Sequence, residues 1–143
     1  MHLEHSLVVA AGPEVVWALT EDIERWPSIT PTVTSVERLD DGPLRVGSRA
    51  RLTQPRQRPR VWTVDRLDAP NHFEWSAPLG PFTVVGRHVI EAVPEGCRNT
   101  LSVELRGRGA GLAGLVLRRP FTEAIRQENE GFRRAAEAGA GSG

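Results

Sequence analysis

Segments that alternate apolar and polar residues occupy the middle of this 143-residue chain and constrain its fold most strongly. Alternation with a period of two is typical of β-strands that bury one face. Short turns rich in proline, glycine or aspartate separate the segments, and this predicts an antiparallel meander. A doubly wound parallel sheet is excluded, since it needs a helix between strands. The predicted strands cover residues 32–39, 48–54, 61–67, 72–77, 82–93 and 98–108.

The residues before this meander predict one more strand and two short helices. Residues 6–11 are apolar and β-prone, so they predict the first strand. Pro13 followed by Glu14 is typical of a helix start, because proline fits the first turn and a carboxylate complements the helix dipole. Residues 21–26 predict a second short helix, which we expect Pro27 to end.

The residues after the meander predict one long amphipathic helix. Such a helix must cover the apolar face of the sheet, and Pro120 is expected to kink or split it. We expect a single domain over residues 1–138, followed by a flexible tail at residues 139–143. The predicted apolar stripe of the helix comprises Leu112, Leu115, Val116, Arg119, Ile125, Glu128, Phe132 and Ala136.

Short motifs accompany this order of elements. They are Ala11-Gly12-Pro13-Glu14-Val15-Val16-Trp17, Asp22 with Trp26-Pro27, Gly47, Trp62-Thr63-Val64, Phe73-Glu74-Trp75, Gly86-Arg87-His88 and Phe132-Arg133-Arg134-Ala135-Ala136-Glu137. Over residues 3–138 the chain thereby resembles the helix-grip proteins of the SRPBCC (START/Bet v 1-like) superfamily, particularly polyketide cyclase/dehydrase-like members.

That resemblance implies an α+β helix-grip fold. In this fold a curved antiparallel sheet of about seven strands wraps around a long C-terminal helix, and two short helices follow the first strand. It also implies a cavity between sheet and helix that takes lipids, polyketides or other apolar small molecules. Alternation along the strands independently predicts an apolar concave face and a polar convex face.

His88 is the polar residue of greatest interest, because alternation places it on the concave face with Val84 and Ile90. An imidazole there could act as an acid or base, or donate a hydrogen bond to a ligand carbonyl. The alternative is a structural histidine that is hydrogen-bonded to Gln54 or to a backbone carbonyl.

The other candidate ligand contacts are one amide and several large apolar side chains. Gln54 could orient a ligand oxygen or face water at the end of its strand. Each tryptophan could form a pocket wall or pack in the core. We expect a ligand to contact Trp26, Leu52, Gln54, Trp62, Trp75, His88, Ile90 and Leu115.

Composition excludes several other functions. The net charge is zero, so no polyanionic partner is expected, and the arginines around residues 55–59 are interpreted as a solvated surface. Cys97 is the only cysteine and is expected to be an inert surface thiol. The histidines lack metal-ligand spacing, no nucleotide-binding or nucleophile motif is present, and the strand carboxylates fall on the convex side. No metal or cofactor is therefore predicted.

The sequence therefore predicts a protein that binds a small hydrophobic ligand (lipid, polyketide or quinone-like). The alternative prediction is a polyketide cyclase/dehydratase in which His88 acts as the acid or base. The first residues lack a secretory pattern, and no apolar run is long enough for a bilayer. We therefore expect a cytoplasmic monomer or homodimer with no integral membrane segment and no nucleic-acid partner.

Overall fold

The computed structural model describes residues 1–141 and places seven strands and three α-helices around one core. A single 3₁₀ turn, Ile23–Arg25, lies between the first two helices. The strands are β1 (His2–Val9), β2 (Ser35–Arg38), β3 (Arg49–Thr53), β4 (Arg60–Asp68), β5 (His72–Leu79), β6 (Phe82–Val93) and β7 (Gly96–Arg106). The helices are α1 (Pro13–Glu21), α2 (Trp26–Ile29) and α3 (Ala110–Gly141).

The strands form one antiparallel sheet in the order β1-β7-β6-β5-β4-β3-β2. The meander from β2 to β7 follows chain order, and β1 closes the sheet by pairing with β7. Cross-strand partners share a face, so the pairing of His88 with Phe73 and with Leu101 brings these three side chains together. The predicted α+β helix-grip architecture is confirmed.

Two local predictions near the N-terminus are corrected. Strand β1 begins at His2 rather than residue 6, because residues 2–5 find pairing partners along β7. Pro27 does not end a helix but lies in the first turn of α2. A proline costs nothing there, since the amide hydrogens of the first turn have no partner within the helix.

Helix α3 is continuous through Pro120 and reaches Gly141. The first three residues of the expected tail, 139–141, therefore continue the helix, while residues 142–143 lie outside the described residues. The helix packs mainly on β1 and β7, where Phe132 and Ala136 are fully buried. Its position leaves space between the helix and the central strands.

A buried amide network fixes α3 to the edge of the sheet. Asn129 is fully buried, and its Oδ1 accepts a hydrogen bond of 3.0 Å from Asn99 of β7. Its Nδ2 lies 3.0 Å from the backbone oxygens of Asn99 and of His5 in β1. Because buried amides are costly when unpaired, these contacts specify the register of the helix on the sheet.

Close packing at Gly131 leads to a prediction about stability. A Cβ atom at this position of α3 would lie 2.3 Å from the backbone oxygen of Ile29 in α2. Glycine-to-alanine substitutions in helices normally stabilise by up to about 1 kcal/mol. We expect Gly131→Ala instead to lower the free energy of unfolding by about 1–3 kcal/mol, because the backbones must separate. Denaturant titration measures this change.

Gly111 provides the matched control in the same helix. A Cβ atom there would meet nothing within 4 Å. Gly111→Ala should therefore leave stability unchanged or raise it by up to about 1 kcal/mol. Equal stabilisation by both substitutions would contradict the packing of α2 against α3.

Candidate functional site

A cavity of about 390 Å³ lies between α3 and the concave face of the sheet. Helix α3 contributes side chains from successive turns, and the central strands contribute the opposite wall. This is within the size range of pockets that hold small organic ligands. The lining residues are Trp26, Val33, Leu52, Gln54, Gln57, Arg60, Trp62, Trp75, Leu79, Val84, Gly86, Arg87, His88, Leu101, Ser102, Val103, Leu117, Pro120, Phe121, Ala124, Ile125 and Glu128.

His88 lies in this wall, held by aromatic rings. Its ring centroid is 5.2–5.5 Å from the rings of Trp26, Phe73 and Phe132, and only 4% of the residue is exposed. Its Nε2 lies 3.5 Å from a carboxylate oxygen of Glu128. Its Nδ1 is buried and has no hydrogen-bond partner among the described residues. The imidazole is thus oriented by packing, with one nitrogen left without a partner.

Glu128 lines the site but was not among the residues predicted from the sequence to contact a ligand. Its carboxylate is largely buried, and its Oε2 accepts a 3.4 Å hydrogen bond from the Thr32 hydroxyl. Carboxylates on strands were the candidates considered from the sequence, and alternation places those on the convex face. Glu128 already belonged to the predicted stripe of the long helix, and that position was the available signal for an inward carboxylate opposite His88.

Indole rings form the aromatic part of the wall. Trp75 packs against Trp62 and Trp26 with centroid distances of 5.2 and 5.1 Å. The Trp62 indole N–H is buried without a partner among the described residues. Gly86 faces both rings, and a Cβ there would be 3.3 Å from Trp75 Nε1. The absence of a side chain at Gly86 therefore leaves the space in front of the two rings open.

The structure brings together six of the eight residues predicted to contact a ligand. Gln54 lines the cavity but donates to the backbone oxygen of Thr32 at 3.3 Å, so it is not the partner of His88. Ile90 is fully buried in the core and does not line the cavity. The other lining residues from the predicted set are Trp26, Leu52, Trp62, Trp75 and His88.

Leu115 is the clear error, since it is 73% exposed. The predicted stripe follows Leu112, Leu115 and Val116, all of which face outward. The inward face of this part of α3 carries Leu117 and Phe121, which line the cavity. Helical spacing fits both sets equally well, and the outward set contains the larger apolar side chains in the first turns.

Leu115 and Leu117 allow a matched test of which side of α3 faces the cavity. We expect Leu117→Ser to weaken binding of an apolar ligand by about tenfold or more, because it removes apolar lining. Leu115→Ser should change neither ligand affinity nor thermal stability, since its side chain is already in water. Isothermal titration of both variants measures the difference, and a larger effect at Leu115 would show that the phase is wrong.

Some charged side chains outside the cavity form ion pairs. On the convex face Arg87 bonds Glu74 and Glu104 at 2.6 and 2.9 Å. Burial alone would raise the pKa of Glu74, but its hydrogen bond from Arg87 holds that pKa below its ordinary value. Hydrogen bonds from Arg106 and Arg87 likewise lower the pKa of Glu104. These carboxylates remain ionised and serve the sheet surface rather than the cavity.

Cys97 is not a surface thiol, because it is fully buried where β7 begins. Burial raises its pKa, and the nearby Glu14 carboxylate acts in the same direction. The thiol is therefore protonated at neutral pH. Within residues 1–141, no group of three or more metal-ligating side chains is assembled, and no helix is both long and apolar enough to cross a membrane.

Residues 1–137 match the model of the family described as polyketide cyclase / dehydrase and lipid transport. The chain belongs to this family. A putative polyketide cyclase from Streptomyces halstedii is 40% identical over 103 residues, which cover 66% of this chain and 92% of the relative.

Several solved structures share the fold at low sequence identity. A Thermus thermophilus protein has a TM-score of 0.76 at 20% identity, covering 97% of this chain and 99% of that one. The di-domain ARO/CYC protein of the steffimycin biosynthetic pathway has a TM-score of 0.76 at 14% identity, covering 98% of this chain and 51% of its own. Ara h 8.0201 has a TM-score of 0.71 at 17% identity, covering 100% and 99%.

Proposed function

We propose that this family member binds a small, planar, largely apolar molecule in the cavity between α3 and the sheet. The observation that carries the proposal is an internal space of about 390 Å³ walled by Trp26, Trp62 and Trp75. Indole rings contribute large apolar surfaces that favour stacking with flat ligands. A chain that needed only a core would fill such a space, because interiors are otherwise close-packed.

The buried polar atoms of the wall favour a ligand that also carries oxygen. Trp62 Nε1 is a buried donor without a partner, and His88 Nδ1 is a second unpartnered nitrogen. A buried polar group without a hydrogen bond costs about 1–3 kcal/mol. A ligand carbonyl or hydroxyl that reached either nitrogen would recover this energy. Polyketide-like and quinone-like molecules combine such oxygens with planar rings.

Titration with 1,4-naphthoquinone and naphthalene tests both features. We expect saturable binding of both at a single site, with tighter binding of the quinone, detected by isothermal titration. Trp62→Phe should weaken both compounds, because the stacking surface shrinks, and should in addition reduce the preference for the quinone by several-fold, because the indole N–H is lost. Absence of saturable binding by either compound would refute the proposed function.

A second candidate, a polyketide cyclase/dehydratase, is favoured by one specific contact. His88 Nε2 lies 3.5 Å from Glu128 Oε1 inside the cavity. In that chemistry His88 would take a proton from the carbon between two ketones, and the enolate carbon would attack a second carbonyl. The imidazolium would then return the proton to the new alkoxide. Glu128 would orient the imidazole and stabilise its charged form.

Variants of His88 and Glu128 distinguish an enzyme that converts its ligand from a protein that only binds it. If the protein is an enzyme, His88→Gln and Glu128→Gln should retain the affinity for a polyketide surrogate within a few-fold but reduce turnover by about 100-fold or more. If the protein only carries its ligand, the wild-type protein will bind the surrogate and release it unchanged. Mass spectrometry of the recovered ligand distinguishes the two outcomes.

A further inference from the structure

Arg60 is one of the residues that line the cavity. It is the first residue of β4 and pairs with Leu52 of β3. Cross-strand partners share a face of the sheet, and Leu52 is a buried lining residue. Arg60 therefore lies on the cavity side, although the surrounding arginines were interpreted as one solvated surface. It is half-buried, next to the exposed loop that carries Gln57, so it marks the mouth of the cavity.

The charge of Arg60 has no acidic partner in the described part of the chain. Its Nη1 donates a 2.6 Å hydrogen bond to the neutral amide oxygen of Gln57. Arg87 is also part of the lining, but its guanidinium is bonded to Glu74 and Glu104 on the convex face and is neutralised there. The lining carboxylate, Glu128, contacts His88 and Thr32 rather than Arg60. The mouth thus offers a cation whose remaining N–H groups are free for a ligand.

Arg60 also lies at a definite distance from the aromatic wall. Arg60 and Trp62 are two residues apart on the same face of β4, which corresponds to about 6.6 Å along the strand. Trp62 packs on Trp75 as part of the indole surface. A flat ring system that stacks on this surface can therefore place a substituent on its edge at the guanidinium.

We propose that Arg60 and Gln57 form a carboxylate subsite at the mouth, so that the ligand is an aromatic or polycyclic acid with its ring system inside. This inference rests on the proposed function and specifies its ligand class. A guanidinium presents two parallel N–H donors that match the two oxygens of a carboxylate. A neutral ligand of the same shape lacks the negative charge and the second acceptor oxygen, so it would gain less from the guanidinium.

The test compares 2-naphthoate with 2-naphthamide, which have the same ring system and nearly the same shape. At pH 7 the acid is ionised and the amide is neutral. In low salt we expect the wild-type protein to bind the acid about tenfold more tightly than the amide, by isothermal titration. Arg60→Gln should abolish this preference and change the affinity for the amide much less, because glutamine keeps an N–H donor but loses the charge. Arg60→Lys should retain part of the preference, because it keeps the charge but loses the paired donors.

Arg58→Gln is the matched control, since Arg58 is exposed in the same loop and does not line the cavity. It should retain the full preference for the acid. Equal wild-type affinities for the acid and the amide, or a preference that survives Arg60→Gln, would overturn the carboxylate subsite while the proposed function stands. If neither compound binds, the proposed function itself fails. Thermal melts of each variant verify that the fold is intact.

Discussion

Trp26→Ala is expected to lower the free energy of unfolding by about 3–5 kcal/mol. Trp26 is 1% exposed and lies where α2, α3 and the concave face of the sheet meet. Its ring contacts Phe73, Trp75 and Phe132 with centroid distances of 5.1–5.9 Å, and the ring of His88 lies beside it. Alanine would remove the centre of this cluster, and strands on one side and a helix on the other cannot collapse to fill the void.

Trp26→Phe separates ring packing from hydrogen bonding. The indole N–H of Trp26 donates to the backbone oxygen of Leu19 at 3.1 Å, and this bond ties α2 to α1. Phenylalanine keeps most of the ring contacts but leaves this oxygen without its partner, so we expect a cost of about 1–3 kcal/mol. Chemical denaturation measures both variants. Costs below about 1 kcal/mol for both would contradict the central position of Trp26.

The strand phases were predictable from the sequence because a sheet with one buried face imposes a strict alternation. Every strand residue predicted to face a ligand lies on the concave side, as the burial of Leu52, Trp75 and His88 shows. The same reasoning assigned Glu74 and Glu104 to the convex face, where they pair with Arg87. Period-two patterns leave only two choices of face, and the position of the large apolar residues decides between them.

The helix phase was less predictable because small shifts in angle accumulate along a helix of 32 residues. Apolar residues lie on both sides of the first turns of α3, so Leu115 was placed inward although Leu117 lines the cavity. Near the C-terminus only one side is apolar, and there Phe132 and Ala136 were placed correctly. Which of two apolar faces is buried depends on packing against the sheet, and local sequence does not contain that information.

Two polar residues of the site were missed for different reasons. Glu128 was on the predicted inward stripe, but its position opposite His88 depends on how the helix crosses the sheet. Arg60 was missed because the strand was predicted to start at residue 61, one residue late. Extending the alternation of Trp62 and Val64 by one step would have placed Arg60 on the cavity side. The cavity itself exists because the side chains around it do not fill the space, and Gly86 contributes no side chain there. That balance of volumes cannot be read from the alternation pattern.

Gly86→Leu is expected to abolish ligand binding, with an affinity loss of about 100-fold or more. A Cβ at Gly86 would already lie 3.3 Å from Trp75 Nε1 and 3.8 Å from Trp62 Cζ3. The remaining carbon atoms of leucine would occupy the space in front of both rings, and a flat ligand could no longer stack there. Since tenfold in affinity corresponds to about 1.4 kcal/mol, even partial occlusion has a large effect. Titration with 1,4-naphthoquinone measures the loss.

Thr83→Leu is the matched control, because Thr83 lies on the same strand but is exposed on the opposite face. It adds a comparable apolar side chain and should leave the affinity unchanged. Gly86→Ala should give an intermediate loss, since a single methyl group makes a tight but tolerable contact with Trp75. Unaltered binding by Gly86→Leu, in a variant that still melts cooperatively, would mean that ligands bind elsewhere. A graded loss from glycine to alanine to leucine would assign the binding site to the space between the indole wall and α3.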